Sequence, residues 1–413
     1  METHLADWLA GTPDGEDAGE NLRRCVHCGF CLATCPTYLL TGDERDSPRG
    51  RIYLMKQVLE GTAPTRSTLA HLDRCLTCRN CETTCPSGVE YGHLVDVGRK
   101  FVERQVRRPR HERLVRWLLR ETLTRRRLFD PAMRLGQFVR PLLPAFLRDK
   151  VPVRRAPGVW PVRHHARKVL LLNGCTQPAM LPSIDAATAR VLDHLGIEAI
   201  VEARSGCCGA IRHHLNDTEG ALAEARRNID AWLPHLEAGV EVVLVNASGC
   251  GAMVKEYAHL LRADPAWADK ARRIVDATRD PAEWLPAELA GQTDRIRAAL
   301  ARGAVPSRLV FHAPCTLQHG QQIRGAVERW LASVGVTPAV VPDGHLCCGS
   351  AGTYSVLQPA LSRQLRSNKL TALQGSRPEQ ILSANIGCIA HLQAGTDTPV
   401  RHWIEWLDEA LNA

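Results

Sequence analysis

The chain has 413 residues, 45% of them apolar and 23% charged, with a formal net charge of +8 and 16 cysteines. That length supports two or three domains with full cores. No apolar run approaches the roughly 18–20 residues a membrane span needs, and the acidic N-terminus lacks the basic and apolar regions of a secretory signal. The expected location is therefore the cytoplasm, where so many thiols point to metal or redox chemistry rather than to disulfides.

Residues 1–20 read as a loose tail. Residues 21–98 form a compact unit around the first eight cysteines. There, Cys25-x2-Cys28-x2-Cys31-x3-Cys35-Pro36 is repeated as Cys75-x2-Cys78-x2-Cys81-x3-Cys85-Pro86. This is the run of bacterial-type ferredoxins. Three thiolates at i, i+3 and i+6 on a tight loop reach three irons of one cubane, and the fourth points toward the other cluster. Cys25, Cys28, Cys31 and Cys85 are thus expected to hold one [4Fe–4S] cluster, and Cys75, Cys78, Cys81 and Cys35 a second. Gly29 gives the first loop room, and Arg79 stands in its place in the second. Paired CxxC motifs also suit zinc, but two copies that each end in Cys-Pro favour clusters.

Residues 99–167 read as a basic helical linker. Eleven Arg and one Lys face three Glu between Arg99 and Arg127. Such a stretch suits an anionic membrane surface, an acidic partner or nucleic acid, or is a solvated helix face. Arg107, Arg108, Arg110, Arg113, Arg125, Arg126 and Arg127 are the expected lipid contacts. Nucleic acid ranks last, because no aromatic residues interleave with the charges. Leu114, Trp117 and Leu118 fall at helical spacing and are expected to pack into a core. Pro141, Pro144, Pro152, Pro157 and Pro161 then break regular structure.

The remainder is a duplication, residues 168–303 and 304–413. Cys175, Cys207–Cys208–Gly209 and Cys250 recur 140 residues later as Cys315, Cys347–Cys348–Gly349 and Cys388. Thirty-one residues separate the first cysteine from the pair in both halves. In each half an apolar strand precedes the first cysteine, and a helical pattern follows it (Ile184 to Leu195; Ile323 to Val334). A second strand comes next, at Ala199–Val201 or Ala339–Val341, before the pair. The expected fold is α+β and α/β: a helical bis-[4Fe–4S] ferredoxin-like domain, the linker, and two α/β Cys-Cys-Gly domains with parallel sheets. Strand carboxyl ends converge on one crevice in such sheets. Cys175, Cys207, Cys208, Cys250, Cys315, Cys347, Cys348 and Cys388 are therefore candidate ligands for one or more additional clusters, or a redox-active thiol site. His312 and His319 flank Cys315 and are candidates for tuning or proton transfer. No GxGxxG or Walker-type loop appears, so hydride chemistry is expected on a partner.

The segments His27-Cys-Gly-Phe-Cys-Leu-Ala-Thr-Cys-Pro-Thr-Tyr38, Gly42-Asp-Glu44, Ser47-Pro-Arg-Gly-Arg-Ile-Tyr-Leu54 and His312-Ala-Pro-Cys-Thr-Leu-Gln-His-Gly320 resemble those of the bacterial glycolate oxidase (glycolate dehydrogenase) iron–sulfur subunits. The wider superfamily includes heterodisulfide reductase subunits and the iron–sulfur proteins of glycerol-3-phosphate and lactate oxidation. The resemblance implies a complex with FAD-binding subunits that oxidise glycolate to glyoxylate. This chain would pass electrons toward a membrane quinone from the inner face of the cell membrane. The alternatives are the same role in a lactate or glycerol-3-phosphate dehydrogenase, or a thiol/disulfide reductase. One departure stands out. The heterodisulfide reductase relatives end each unit in CxxC, whereas here Ala247 and Asn385 occupy the position three before Cys250 and Cys388.

Overall fold

A computed structural model describes residues 1–413. The N-terminal twenty residues are not loose. Thr12 accepts a hydrogen bond from the Gly15 amide at 3.1 Å and Pro13 occupies the first helical position, so a helix α1 runs over Pro13–Arg24. Leu9 is fully buried, Ala18 and Leu22 join it, and the Met1 ammonium donates to the Arg23 and Cys25 carbonyls at 3.0 Å. The sequence hides this because the scattered apolar residues find partners only on distant elements: the Ala6 amide bonds to Leu59 O at 2.9 Å. Those elements are α2 (Pro48–Leu59) and α3 (Tyr91–Gln105). Their packing is close enough that a Cβ on Gly98 would meet Met55 Sδ at 2.3 Å.

The basic segment forms α4 (Arg110–Leu123) and α5 (Arg126–Phe138). The expectation that Leu114, Trp117 and Leu118 enter a core is wrong: they are 55%, 51% and 43% exposed. The inward side of α4 is fastened by charge instead. Arg116 reaches Asp73 at 3.1 Å, and Glu121 pairs with Arg212 at 3.3 Å. The apolar stripe is therefore turned outward. Phe138, Leu142 and Phe146, at 84%, 85% and 67% exposure, continue it. Arg108, expected to face lipid, is instead buried between Asp73 and Glu103 at 2.6 and 2.9 Å.

The two repeated units each carry a parallel sheet. In the first, β1 (Arg167–Leu171), β2 (Ile197–Ile200), β3 (Val243–Leu244) and β4 (Thr278–Arg279) lie in the order β2-β1-β3-β4. In the second, β5 (Leu309–His312), β6 (Gln380–Ser383) and β7 (Val400–His402) lie in sequence order. The strand expected at Ala339–Val341 does not form. Pro338 and Pro342 flank it, a single bond joins Ala339 N to Leu309 O, and Val340 is 94% exposed. The helix α6 (Ser183–His194) packs against the C-terminal helix α7 (Trp403–Asn412), where Arg190 pairs with Asp408 at 2.6 Å. One core of Val169, Leu192, Phe311, Trp330, Trp403 and Trp406 therefore spans both units. That shared core fixes the two sets of strand ends relative to one another.

Candidate metal centres

The two ferredoxin loops are copies in backbone as well as in sequence. His27 and Gly29 in the first, and Thr77 and Arg79 in the second, all adopt positive φ, between 53° and 86°. Arg79 tolerates the left-handed region without being glycine. Its guanidinium turns back to an ion pair with Glu256 of the first Cys-Cys-Gly unit.

These turns aim the sulfurs into two adjoining cavities. One is lined by Cys25, Cys28, Cys31 and Cys85, and by Cys81, which lines both cavities. The other is lined by Cys75, Cys78, Cys81 and Cys35. Each cavity thus takes its fourth thiol from the opposite loop. No three of these sulfurs approach within 4.8 Å of one another, which leaves room for a cluster between them. Burial pushes the Cys31 thiol up to about 11, and those of Cys78 and Cys81 well above their usual range. Metal binding at such thiols releases protons. The donor set and the space both fit [4Fe–4S] clusters.

A buried charge network that the cysteine pattern does not reveal supports the second cavity. Arg51, 1% exposed, donates to His71 O at 2.7 Å and to Thr37 Oγ1 at 3.1 Å, and lies 3.9 Å from Cys35 Sγ. Burial opposes its charge, yet the Cys75, Tyr91 and Cys35 groups and Asp46 hold it protonated. Asp46, fully buried, is also bonded by His71 Nδ1 and Arg74, each at 2.9 Å. Ser47-Pro-Arg-Gly-Arg51 was the visible signal. Ser47 caps α2, and a Cβ at Gly50 would meet Glu44 O at 1.9 Å, so the chain must pass closely there to place Arg51.

Seven of the eight Cys-Cys-Gly thiols meet at the strand ends. Cys175, Cys207, Cys208, Cys250, Cys315, Cys347 and Cys388 line one cavity of about 240 Å³, shared by both units, and Cys348 is buried beside Cys388. Neighbouring sulfur and then burial push Cys175 and Cys315 well above the thiol range. The glycine after each pair is obligatory in the second unit: Gly349 has φ +86°, and a Cβ there would meet Ser362 O at 2.7 Å. Cys75 and Leu76 of the second ferredoxin loop reach the same cavity. Asn80 Nδ2 donates to His345 O at 3.2 Å, and Tyr354 Oη donates to Arg74 O at 3.2 Å. His319 Nε2 donates to His345 O at 2.9 Å, which leaves Nδ1 to accept from the Thr83 hydroxyl at 2.9 Å. His319 is therefore a strut between domains. Among His312, Cys348 and Cys388, by contrast, a second kind of grouping appears. It was not legible as a set in the sequence, where the three lie far apart.

Comparison with known proteins bears on this arrangement. Residues 21–89 match the 4Fe-4S dicluster domain, and residues 169–255 and 309–393 match the Cysteine-rich domain twice. The Glycolate oxidase iron-sulfur subunit of Escherichia coli (strain K12) is 51% identical over 414 residues, covering 100% of this chain and 99% of that protein. The chain belongs to the glycolate oxidase iron–sulfur subunit family. A second relative, from Bacillus subtilis (strain 168) and named Probable glycolate oxidase iron-sulfur subunit, is 30% identical over 92% of this chain and 90% of its own length. Lactate utilization protein A of Exiguobacterium sp. is 25% identical and matches 59% of this chain. Iron–sulfur binding in the N-terminal domain and the duplicated cysteine-rich units are thus properties of the family. No helix of the chain is long and apolar enough to cross a membrane.

Proposed function

We propose that this chain is the electron-transfer subunit of a glycolate-oxidising complex, carrying electrons from FAD-binding partner subunits toward a membrane quinone. The observation that carries the reading is the crossed lining of the two ferredoxin cavities, in a segment matching a dicluster domain. Cys25, Cys28, Cys31 and Cys85 would hold one [4Fe–4S] cluster, and Cys75, Cys78, Cys81 and Cys35 the other. Bound there, the two clusters supply one-electron transfer in series. Around them, Arg51 sets the charge beside Cys35. Val26 and Phe30, 66% and 65% exposed on the loop of Cys28, give the first cluster an apolar face for a flavoprotein. The second ferredoxin loop, through Cys75 and Leu76, would bring its cluster near the shared sulfur-lined cavity. Glycolate is favoured over lactate because the glycolate relative matches the whole chain and the lactate-utilisation relative only 59% of it.

A peripheral membrane position on the cytoplasmic side belongs to the same proposal. Trp117, Leu114 and Phe138 are exposed on α4 and α5 among their arginines, and Phe146 beyond them, a pattern that suits the interface of an anionic bilayer. The test of the relay is Cys28→Ser or Cys78→Ser in the assembled complex. Flavin bleaching by glycolate should persist in stopped flow while reduction of a quinone analogue stops. Normal quinone reduction after loss of a cluster would defeat the relay.

A further inference from the structure

Just before the first cysteine, the two Cys-Cys-Gly units differ in the character of a buried residue. Three residues before the first cysteine, the first unit has Leu172 and the second has His312. Leu172, the residue after β1, packs in the apolar core beside Cys208. His312 ends β5, is 2% exposed, and its Nε2 has no hydrogen-bond partner. A buried polar atom left without a partner is costly and calls for an explanation. Its surroundings supply one. A ring nitrogen of His312 and the Sγ atoms of Cys348 and Cys388 lie within 4.8 Å of one another, and all three residues are buried. The three come from different elements: the end of β5, the Cys-Cys-Gly turn, and the helix Ile386–Gln393. Their convergence is a product of the fold.

The spacing distinguishes this set from the ferredoxin thiols, no three of which come so close. A tetrahedral zinc ion takes sulfur at about 2.3 Å and nitrogen at about 2.0–2.1 Å, which puts neighbouring ligand atoms about 3.5–3.8 Å apart. Two thiolates and an imidazole are the donors such an ion prefers. We propose that the second Cys-Cys-Gly unit binds a single zinc ion through Cys348, Cys388 and His312, and that the first unit, with Leu172, does not bind one in this way. The site ties the end of β5 to the cysteine turn and to the helix after β6. It goes beyond the electron relay and does not rest on it.

The test uses the full-length protein, purified anaerobically from zinc-replete cells. Zinc and iron are counted, and the zinc X-ray absorption fine structure is recorded. About one zinc per chain is expected, with both sulfur and nitrogen neighbours. His312→Leu, which copies the first unit, should lower zinc content by about tenfold or more while the iron of the ferredoxin domain stays. His312→Cys guards against misfolding of that variant: it should keep the zinc, gain a sulfur neighbour and lose the imidazole outer-shell scattering. Three results would each overturn the proposal: a wild-type protein with iron but without zinc, zinc that survives unchanged in His312→Leu, and imidazole outer-shell scattering that persists in His312→Cys.

Discussion

Arg51→Met removes the buried positive charge 3.9 Å from Cys35 Sγ and leaves the backbone in place. Two unit charges at about 4 Å interact with about 4 kcal/mol at an effective dielectric of about 20. For a one-electron couple that corresponds to roughly 180 mV, at 59 mV for each 1.36 kcal/mol. An added electron spreads over a cubane beyond the sulfur, so this figure is an upper bound. A shift of roughly 50–150 mV to more negative potential is expected at the second cluster, with little change at the first. The variant should also be less stable, by about 3–5 kcal/mol, because the buried Asp46 carboxylate loses the buried Arg51 guanidinium. Reductive titration followed by electron paramagnetic resonance reads both midpoints. Arg51→Lys retains the charge without the forked hydrogen bonds and should move the potential far less. An unchanged midpoint in Arg51→Met with both clusters present, or an equal shift in Arg51→Lys, would refute the electrostatic argument.

Three other outcomes are expected. Asp280, 1% exposed, caps the helix Pro281–Glu288, and burial pushes its carboxyl up to about 7. A carboxyl raised on folding stabilises fully below its unfolded value and loses that contribution as pH rises through the folded one. Asp280→Asn should therefore gain on the wild type by roughly 2.5 kcal/mol between pH 5 and pH 8 in urea unfolding, and a flat difference would contradict this. Trp117→Asp with Phe138→Asp should weaken cosedimentation with anionic vesicles. Reversal of Arg110 and Arg113 should cost about 1 kcal/mol per charge and steepen at low salt. Arg108, already paired inside the protein, should make no difference to the vesicles, and salt-independent binding would count against a lipid contact. Finally, the isolated, cluster-loaded chain should not oxidise glycolate, and turnover without added flavoprotein would overturn the assignment of that chemistry to a partner.

The sequence exposes what is local or periodic. Cysteine spacing forecasts the two ferredoxin loops, and the 140-residue register forecasts two parallel α/β units whose thiols meet. What it conceals depends on remote partners. Leu9 becomes core only once α2 and α3 are beside it. The stripe of Leu114, Trp117 and Leu118 has the helical period of a packing face, but the ion pairs of Arg116 and Glu121 decide which way the helix turns. Ala339–Val341 has the composition of a strand, yet the prolines at its ends leave too few donors to pair it. The grouping of His312 with Cys348 and Cys388 is visible only when the sheet brings three separate segments to one point.

The interchange of thiols between the ferredoxin loops has a consequence for synthesis. As the chain leaves the ribosome, the first loop presents Cys25, Cys28 and Cys31, but the cavity they line is closed by Cys85. The second loop is in turn closed by Cys35, made long before it. The second cavity has its full complement of sulfur only once Cys81 has been added and the first only once Cys85 has, so both are completed by the same short stretch of the second motif. Cluster delivery to the nascent chain is therefore concerted. A ribosome stalled between the two motifs should hold a polypeptide with no complete site, and a truncation there should yield colourless protein rather than a one-cluster intermediate.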